Sequence, residues 1–403
     1  MAKGNSRSSA GTPNATSTSP SRPLVAPSSK ALPQALQSAA LSAATAAASV
    51  RHLTVDEGSD GQRLDNFLLR ELKGAPKTLV YRIIRSGEVR VNKGRASAET
   101  RVATGDDIRV PPLRLTEPDL AAERAVPGRE FPLLLEDEHL IAIAKPAGVA
   151  VHGGSGVAFG VIEQMRRARP QAKFLELVHR LDKETSGILL LAKKRSALTA
   201  LQEQFRQRQT DKTYAALVIG TWPPELRRID QTLVKTLDAN GERRVRVLTA
   251  GDTRPPTGAT SARKRPEGDD EETGLRAITL VKLVRQFDGY ALLDVTIKTG
   301  RTHQIRVHLQ HAGHPIVGDD KYGDFALNHE LARSGLAGAT PGQPRLRFDR
   351  MFLHARRLGF THPASADTIT LDAALPPDCQ ALLDRLTQLD DPRVSPGRAI
   401  TVA

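Results

Sequence analysis

Val178-His179-Arg180-Leu181-Asp182-Lys183-Glu184-Thr185-Ser186-Gly187, followed at once by the apolar run Ile188 to Ala192, is the stretch on which the fold turns. A short unbroken apolar run reads as a buried strand, and the polar residues before it then form a loop held on a rigid edge. An aspartate beside an arginine on such a loop has the placement of a catalytic group. An isolated Arg-Leu-Asp is more often a surface ion pair ahead of a strand, so the rest of the chain has to decide.

Upstream, Leu133 to Gly148 (LLLEDEHLIAIAKPAG) reads as a strand around Leu140 to Ala144 that ends at Lys145-Pro146. His152-Gly153-Gly154-Ser155-Gly156 follows, before a helix from Phe159 to Ala168. Without a phosphate-loop lysine and its spacing, this glycine cluster is a tight turn at least as readily as a phosphate cradle. Downstream, an amphipathic helix from Ala197 to Gln207 precedes Asp211-Lys212-Thr213-Tyr214 and an apolar strand. A tyrosine there is most often core, with its hydroxyl satisfied by a neighbour. Ala277 to Leu283 and Tyr290 to Ile297 read as a strand pair. Lys298 to Leu309 (KTGRTHQIRVHL) then opens a helix, with Arg301 at the junction and Ile305, Leu309 and Ala312 on the core face. His303, His308, His311 and His314 lack the H-E-x-x-H spacing, a carboxylate and a cysteine, so no metal is expected.

The chain of 403 residues carries a net charge of +13 and a single cysteine, Cys379. One cysteine excludes an internal disulfide and suits a reducing cytoplasm. No stretch approaches the roughly 20 apolar residues of a membrane helix. Residues 1–55 hold five of the positive charges and no acid, which leaves +8 on the body. A basic body favours a polyanionic partner, nucleic acid first. The 4% aromatic content rules out a continuous stacking platform, so any stacking rests on a few rings. The Ser, Thr, Ala and Pro of residues 1–55 lack the large apolar groups that repay ordering and read as a disordered extension, with a transit peptide as the alternative. Residues 249–273 read as a mobile low-complexity insert between strands, and 389–403 as a tail.

Between Gly61 and Arg114 two short helices present Leu64, Phe67, Leu68 and Leu72, then Leu79, Ile83 and Ile84. Twelve cations face six acids in this segment. Arg82, Arg85, Arg90, Lys93 and Arg95 cluster across a helix end and the next strand, as a phosphate-contacting patch would. Residues 115–130, rich in Pro and charge, read as a linker to a second domain over 131–388.

The string HRLDKETSG resembles the central motif of the pseudouridine synthases of large-subunit ribosomal RNA. KPAG with VHGGSG, the K-x-Y at Lys212 to Tyr214, TGRTHQIRVH with AGHPIVGDDKYGD, and Phe352-Leu353-His354-Ala355 extend the resemblance over residues 61 to about 388. The pattern is similar to the variant that acts on several uridines. Residues 61–114 resemble the alpha-L RNA-binding motif of a small-subunit ribosomal protein. The resemblance implies an α+β fold: a catalytic domain with a mixed, largely antiparallel central sheet, plus the small N-terminal alpha-L domain. The insert is longer than the family's usual connection.

Conversion of uridine to pseudouridine breaks the N1 glycosidic bond, turns the uracil and rejoins it through C5. It needs no redox change or group donor, and the chain shows no dinucleotide fingerprint, so no cofactor is expected. Asp182 is the candidate nucleophile, at the sugar, at the base or in glycal formation. The resemblance implies Tyr214 packed on the base, with a part in proton removal from C5, and Arg301 holding Asp182 ionised by proximity. Arg180 would fill the gap left by the flipped base, and Ile305 and Thr185 would line the base pocket. His179, Lys193, Lys194 and Arg306 join the RNA-binding candidates. The implied partner is 23S ribosomal RNA or the pre-ribosomal large subunit, with no membrane and a monomer. Two other readings remain. A base-removing glycoside hydrolase needs a second carboxylate, and Glu184 is expected to point elsewhere. A non-catalytic ribosome-assembly factor would not need Asp182, Tyr214 and Arg301 together.

Overall fold

A computed structural model of the chain describes residues 49–72, 75–113, 126–153, 159–237, 243–249 and 274–391. The expectations placed on residues 1–48, 250–273 and 392–403, and on most of the glycine cluster after His152, lie outside them. The described residues among 51–111 and 126–391 belong to one compact unit; of the other, residues 49–50 and 112–113 are described.

The small domain starts at strand β1 (Arg51–Thr54), earlier than the composition of residues 1–55 implied. Pairing supplies the reason, because β1 lies antiparallel on β4 (Asp107–Val110), and Val55 is buried. Helices α1 (Leu64–Glu71) and α2 (Lys77–Arg85) pack on each other and bury their apolar stripes, and Val89, Ile108 and Val110 of the same small domain are buried too. Val80 takes the fully buried place expected of Leu79, which is half-buried. Strands β2 (Arg90–Val91) and β3 (Gly94–Arg95) complete a sheet of order β1-β4-β2-β3. Asn92 and Lys93 both take positive φ in the two-residue turn between them, the geometry whose twist suits a tight hairpin.

The remaining strands are β5 (Leu133–Glu136), β6 (Leu140–Lys145), β7 (Glu176–Leu177), β8 (Ser186–Ala192), β9 (Asp211–Ile219), β10 (Arg228–Leu237), β11 (Arg243–Val247), β12 (Leu275–Phe287), β13 (Tyr290–Ile297), β14 (Leu353–Thr361) and β15 (Thr368–Asp372). They form one 11-stranded sheet of order β11-β10-β12-β13-β9-β14-β8-β6-β5, with β15 on β14 and β7 on β8. Every pairing is antiparallel except β14 with β8. The unbroken apolar run of β8 has a simple cause. Leu189 and Leu191, with Ile141 and Ile143 of β6, enter one core, while Ile188 and Leu190, with Leu140 and Ala142, enter the core on the other face. Period-2 alternation between two buried faces leaves no polar position.

Helices α3 (Val161–Ala168), α5 (Gln304–His311), α6 (Phe325–Arg333) and α7 (Pro377–Asp390) supply the first core, and α4 (Arg195–Arg206) the second. Two helices begin later than expected. Gly160 caps α3 because a Cβ there would lie 2.5 Å from the His152 backbone nitrogen. Residues 298–303 stay a loop because Gln304 Oε1 accepts both the Arg301 N–H (3.1 Å) and the Thr299 hydroxyl (2.7 Å). The parallel seam is what positions the site. Lys145, Gly187, Ala355, Tyr214 and Val295 are successive partners across β6, β8, β14, β9 and β13. The loop carrying Asp182 therefore enters the sheet one strand away from β9, which carries Tyr214, with β14 between them.

Candidate active site

Asp182 sits in the turn that feeds β8, where its carbonyl accepts the Thr185 N–H at 3.2 Å. Beneath the turn the Lys145 side chain, 1% exposed, donates to the carbonyls of Pro146 (2.8 Å), Val149 (2.8 Å) and Lys183 (3.0 Å). Burial pushes this amine down to about 7, while three acceptors match the three N–H bonds that only the ammonium offers. Lys145 thus ties the KPAG loop to the aspartate loop from below. The Asp182 carboxylate, 30% exposed, opens on a cleft of about 680 Å³.

On the facing helix α5, the Arg306 Nη1 lies 3.5 Å from Asp182 Oδ2. Its Nε and Nη2 grip Asp319 at 2.7 Å each, and Nη2 also reaches Asp320 at 2.9 Å. Burial disfavours this guanidinium's charge, but the Asp319 hydrogen bonds and the charges of Asp319, Asp182 and Asp320 raise it above its ordinary range. Arg306 therefore reaches Asp182 as a fixed cation. Arg301, expected in that role, is exposed and shares the cleft. The two arginines lie five positions apart, and only Arg306 projects from the helix onto Asp319.

His303 takes a left-handed conformation (φ 52°) at the start of α5, which costs a non-glycine residue about 1 kcal/mol or more. Its Nδ1 lies 2.9 Å from the Tyr322 hydroxyl, and its Nε2 lies 3.9 Å from Asp182 Oδ2. The Tyr322 oxygen accepts the Val245 N–H at 3.0 Å, so its own proton is directed to His303 Nδ1. That assigns the ring proton to Nε2, facing Asp182. Burial lowers the His303 pKa, which agrees with a neutral ring.

A small cavity of about 110 Å³, sized for one planar base, gathers Asp182, Tyr214, Arg301, Arg180, Thr185, Ile305 and Arg306, with Ile297 and Leu353. Tyr214 is 9% exposed; burial and the Asp182 charge both raise its pKa, so its phenol keeps its proton. Thr185 and Ile305 are buried, and Arg180 is exposed.

The RNA-binding candidates divide by their surroundings. Arg90 faces Arg95 across β2 and β3 and Arg109 across β4, a row of like charges that destabilises the bare sheet and suits a polyanion. Arg82, Arg85, Lys93 and Arg95 are exposed. Lys193 and Lys194 already pair with Glu136 (2.9 Å) and Glu138 (3.3 Å), and they line a different cleft from Asp182. His179 stacks on Phe205, accepts the Leu190 N–H through Nε2 at 3.1 Å, and is pushed by burial to about 4. It supplies no charge to a phosphate at neutral pH, and its place is that of a support behind Arg180.

Lys145, Asp319 and Tyr322 were not singled out from the sequence, and His303 was weighed only as a metal ligand. Their signal was present in KPAG, TGRTHQIRVH and GDDKYGD, but their use depends on partners distant along the chain. Among the described residues no three His, Cys, Asp or Glu side chains are grouped to hold a metal ion. His308 instead meets the Thr279 hydroxyl at 2.8 Å, and His314 meets the Ile219 carbonyl at 3.0 Å.

Residues 139–311 match the RNA pseudouridylate synthase family, and residues 62–108 match the S4 domain. The ribosomal large subunit pseudouridine synthase C of Haemophilus influenzae is 44% identical over 344 residues, which cover 84% of this chain and 96% of that protein. The protein of the same name from Escherichia coli K12 is 42% identical over 338 residues, covering 83% and 95%. The solved structure of human RNA pseudouridylate synthase domain containing 4 is 27% identical, with a TM-score of 0.46, covering 64% of this chain and 93% of that one.

Proposed function

This chain belongs to the RNA pseudouridylate synthase family, and on that premise we propose that it isomerises uridines of large-subunit (23S) ribosomal RNA, with Asp182 as the nucleophile. The observation that carries the role of Asp182 is its carboxylate in a base-sized cavity between Tyr214 and the Asp319-fixed guanidinium of Arg306. The reaction conserves atoms. The C1′–N1 bond breaks, the C1′–C5 bond forms, the C5 hydrogen leaves, and N1 gains one. The target base flips out of its helix into the cavity, a step that costs a few kcal/mol. Arg180, exposed at the cavity rim, occupies the vacated stack. Ile305 and Thr185 bound the base edge, and Tyr214 covers its face. As a buried phenol Tyr214 begins the cycle protonated, so proton removal from C5 requires that proton to move first. Arg301, unpaired among the described residues, meets the RNA at the cleft mouth.

The S4 domain presents the Arg90, Arg95 and Arg109 row to the RNA backbone, with Arg82, Arg85 and Lys93 around it. The setting that fits is the cytoplasm of a bacterium, with the enzyme as a monomer. No helix among the described residues is long and apolar enough to cross a membrane.

The test is tritium release from large-subunit RNA labelled at uridine C5, with the intact chain and with Asp182→Asn. Release by the intact chain that disappears in the variant is expected. Free uracil would instead identify a base-removing hydrolase, and retained RNA binding without release would identify an assembly factor.

A further inference from the structure

On the other side of Arg180 and Tyr214 from Asp182 lies a second cleft of about 470 Å³. Its wall holds six cations, Arg180, Arg206, Arg208, Lys212, Lys298 and Arg301, and no carboxylate. Arg206 pairs with Glu203. Arg180, Arg208, Lys298 and Arg301 are exposed and make no ion pair among the described residues. Several cations elsewhere are matched, as Arg169 is by Glu130 and Glu136, and Arg276 by Asp230, whereas Arg82, Arg85, Arg90 and Lys93 of the small domain, like these four of the cleft, make no ion pair among the described residues. The floor is the His179–Phe205 stack, with Lys212 Nζ 5.2 Å above the Phe205 ring. The Lys212 charge is opposed first by burial, and the neighbouring Lys298 and Arg208 add to that, with Asp211 as partial relief. These cations repel one another in the free protein.

A second observation comes from the backbone. Helix α4 ends in a paired 6→1 and 5→2 closure, Gln209 N–H to Gln204 O at 2.9 Å and Arg208 N–H to Phe205 O at 3.3 Å. The residue at the left-handed position of that closure is ordinarily glycine. Here it is Arg208, at φ 62°. A long cation is kept where its backbone is strained, and the strain aims it into a cleft already crowded with positive charge.

We propose that this cleft grips the RNA backbone beside the flipped uridine, with Arg208, Lys212 and Lys298 on its phosphodiester groups, and that it positions the strand without reading its sequence. The ligand class follows from the lining, since unpaired cations without an opposing acid suit phosphate oxygens. No Asn, Gln, Asp or Glu side chain lines the cleft, so a base edge there would meet only Arg, Lys, Thr, Tyr and His side chains. Shared walls at Arg180, Tyr214 and Arg301 join it to the base cavity, so one strand spans both. The inference rests on the RNA substrate proposed above.

The test measures binding without turnover, in the full chain carrying Asp182→Asn. Arg208→Gly and Lys298→Gln are each compared with that parent. The probes are a fluorescent stem-loop of large-subunit RNA containing uridine and an unrelated stem-loop of equal length, across about 50 to 200 mM KCl. Each substitution is expected to weaken both RNAs by the same factor and to flatten the slope of log affinity against log salt by about 0.7. Arg208→Gly should also raise the melting temperature, because glycine suits the left-handed cap. A cation with only a structural role would not lose binding while the fold gains stability. Unchanged affinity and slope in both variants would overturn the proposal, and so would a loss confined to one RNA, which would make the cleft a base-reading site. An altered slope in these variants, together with no tritium release by the intact chain that keeps Asp182, would retain the cleft and discard the isomerase.

Discussion

Asp182 is placed by its neighbours. Arg306 reaches it because Asp319, fully buried, fixes the guanidinium from behind, and His303 faces it because Tyr322 takes the other ring nitrogen. Tyr322→Phe removes the donor to His303 Nδ1 and the acceptor of the Val245 N–H. The lost hydrogen bonding costs about 1 kcal/mol of stability. The hydroxyl stabilises the neutral ring by donating to it, so its removal raises the His303 pKa and moves the acid limb of the kcat profile to higher pH. A variant profile that overlays the parent's would show that His303 does not communicate with Asp182. At this scale the motifs that hold Asp182 and Tyr214 were legible, because each is a short string that needs no partner to be recognised. The choice of Arg306 over Arg301 was not, because both lie on one string and Asp319 decides between them from thirteen residues away.

Among the elements, the seam between β14 and β8 is the most constrained. Gly187 has φ 115°, and a Cβ there would lie 2.3 Å from the Ala355 carbonyl oxygen. Gly187→Ala therefore has to separate the strands that bring Asp182 beside Tyr214. We expect a loss of roughly 3 kcal/mol or more in urea unfolding. Gly148→Ala is the control: it also has positive φ, but a Cβ there meets nothing within 4 Å, so it should cost only about 1 kcal/mol. Equal losses in the two would remove the close approach as the cause. Most strands near the site were legible from apolar runs. The start of α5 was not, because the Gln304 side chain, rather than helical periodicity, organises residues 299–303.

Across the whole molecule, His308 and His354 are buried and His179 is half-buried against Phe205. Burial pushes His179, His308 and His354 to about 4. In the unfolded chain each protonates near pH 6.5. Between about 6.5 and 4 the unfolded state thus binds more protons than the folded one, and stability falls as pH falls through that window. Urea midpoints at pH 7.5, 5.5 and 4.5 should decline in that order, with the step from 7.5 to 5.5 lying above the range where carboxylates titrate. A flat midpoint down to pH 4.5 would show that these rings stay hydrated. Charge is distributed as unevenly as burial, with matched pairs over much of the surface and unmatched cations in the cleft beside Tyr214.

The sequence by itself determined the S4 and synthase segments, the strand that follows Asp182 and the motifs that hold Asp182 and Tyr214. Those features are local, written in apolar runs and short motifs whose meaning does not depend on distant residues. The tertiary structure alone decided which arginine meets Asp182, which histidine nitrogen faces it, and which cations remain unpaired. Each of those outcomes depends on residues far apart in the chain. Lys193 is neutralised by Glu136 fifty-seven positions away, whereas Arg208 meets no carboxylate among the described residues. Composition counts such charges alike, and only folding separates them.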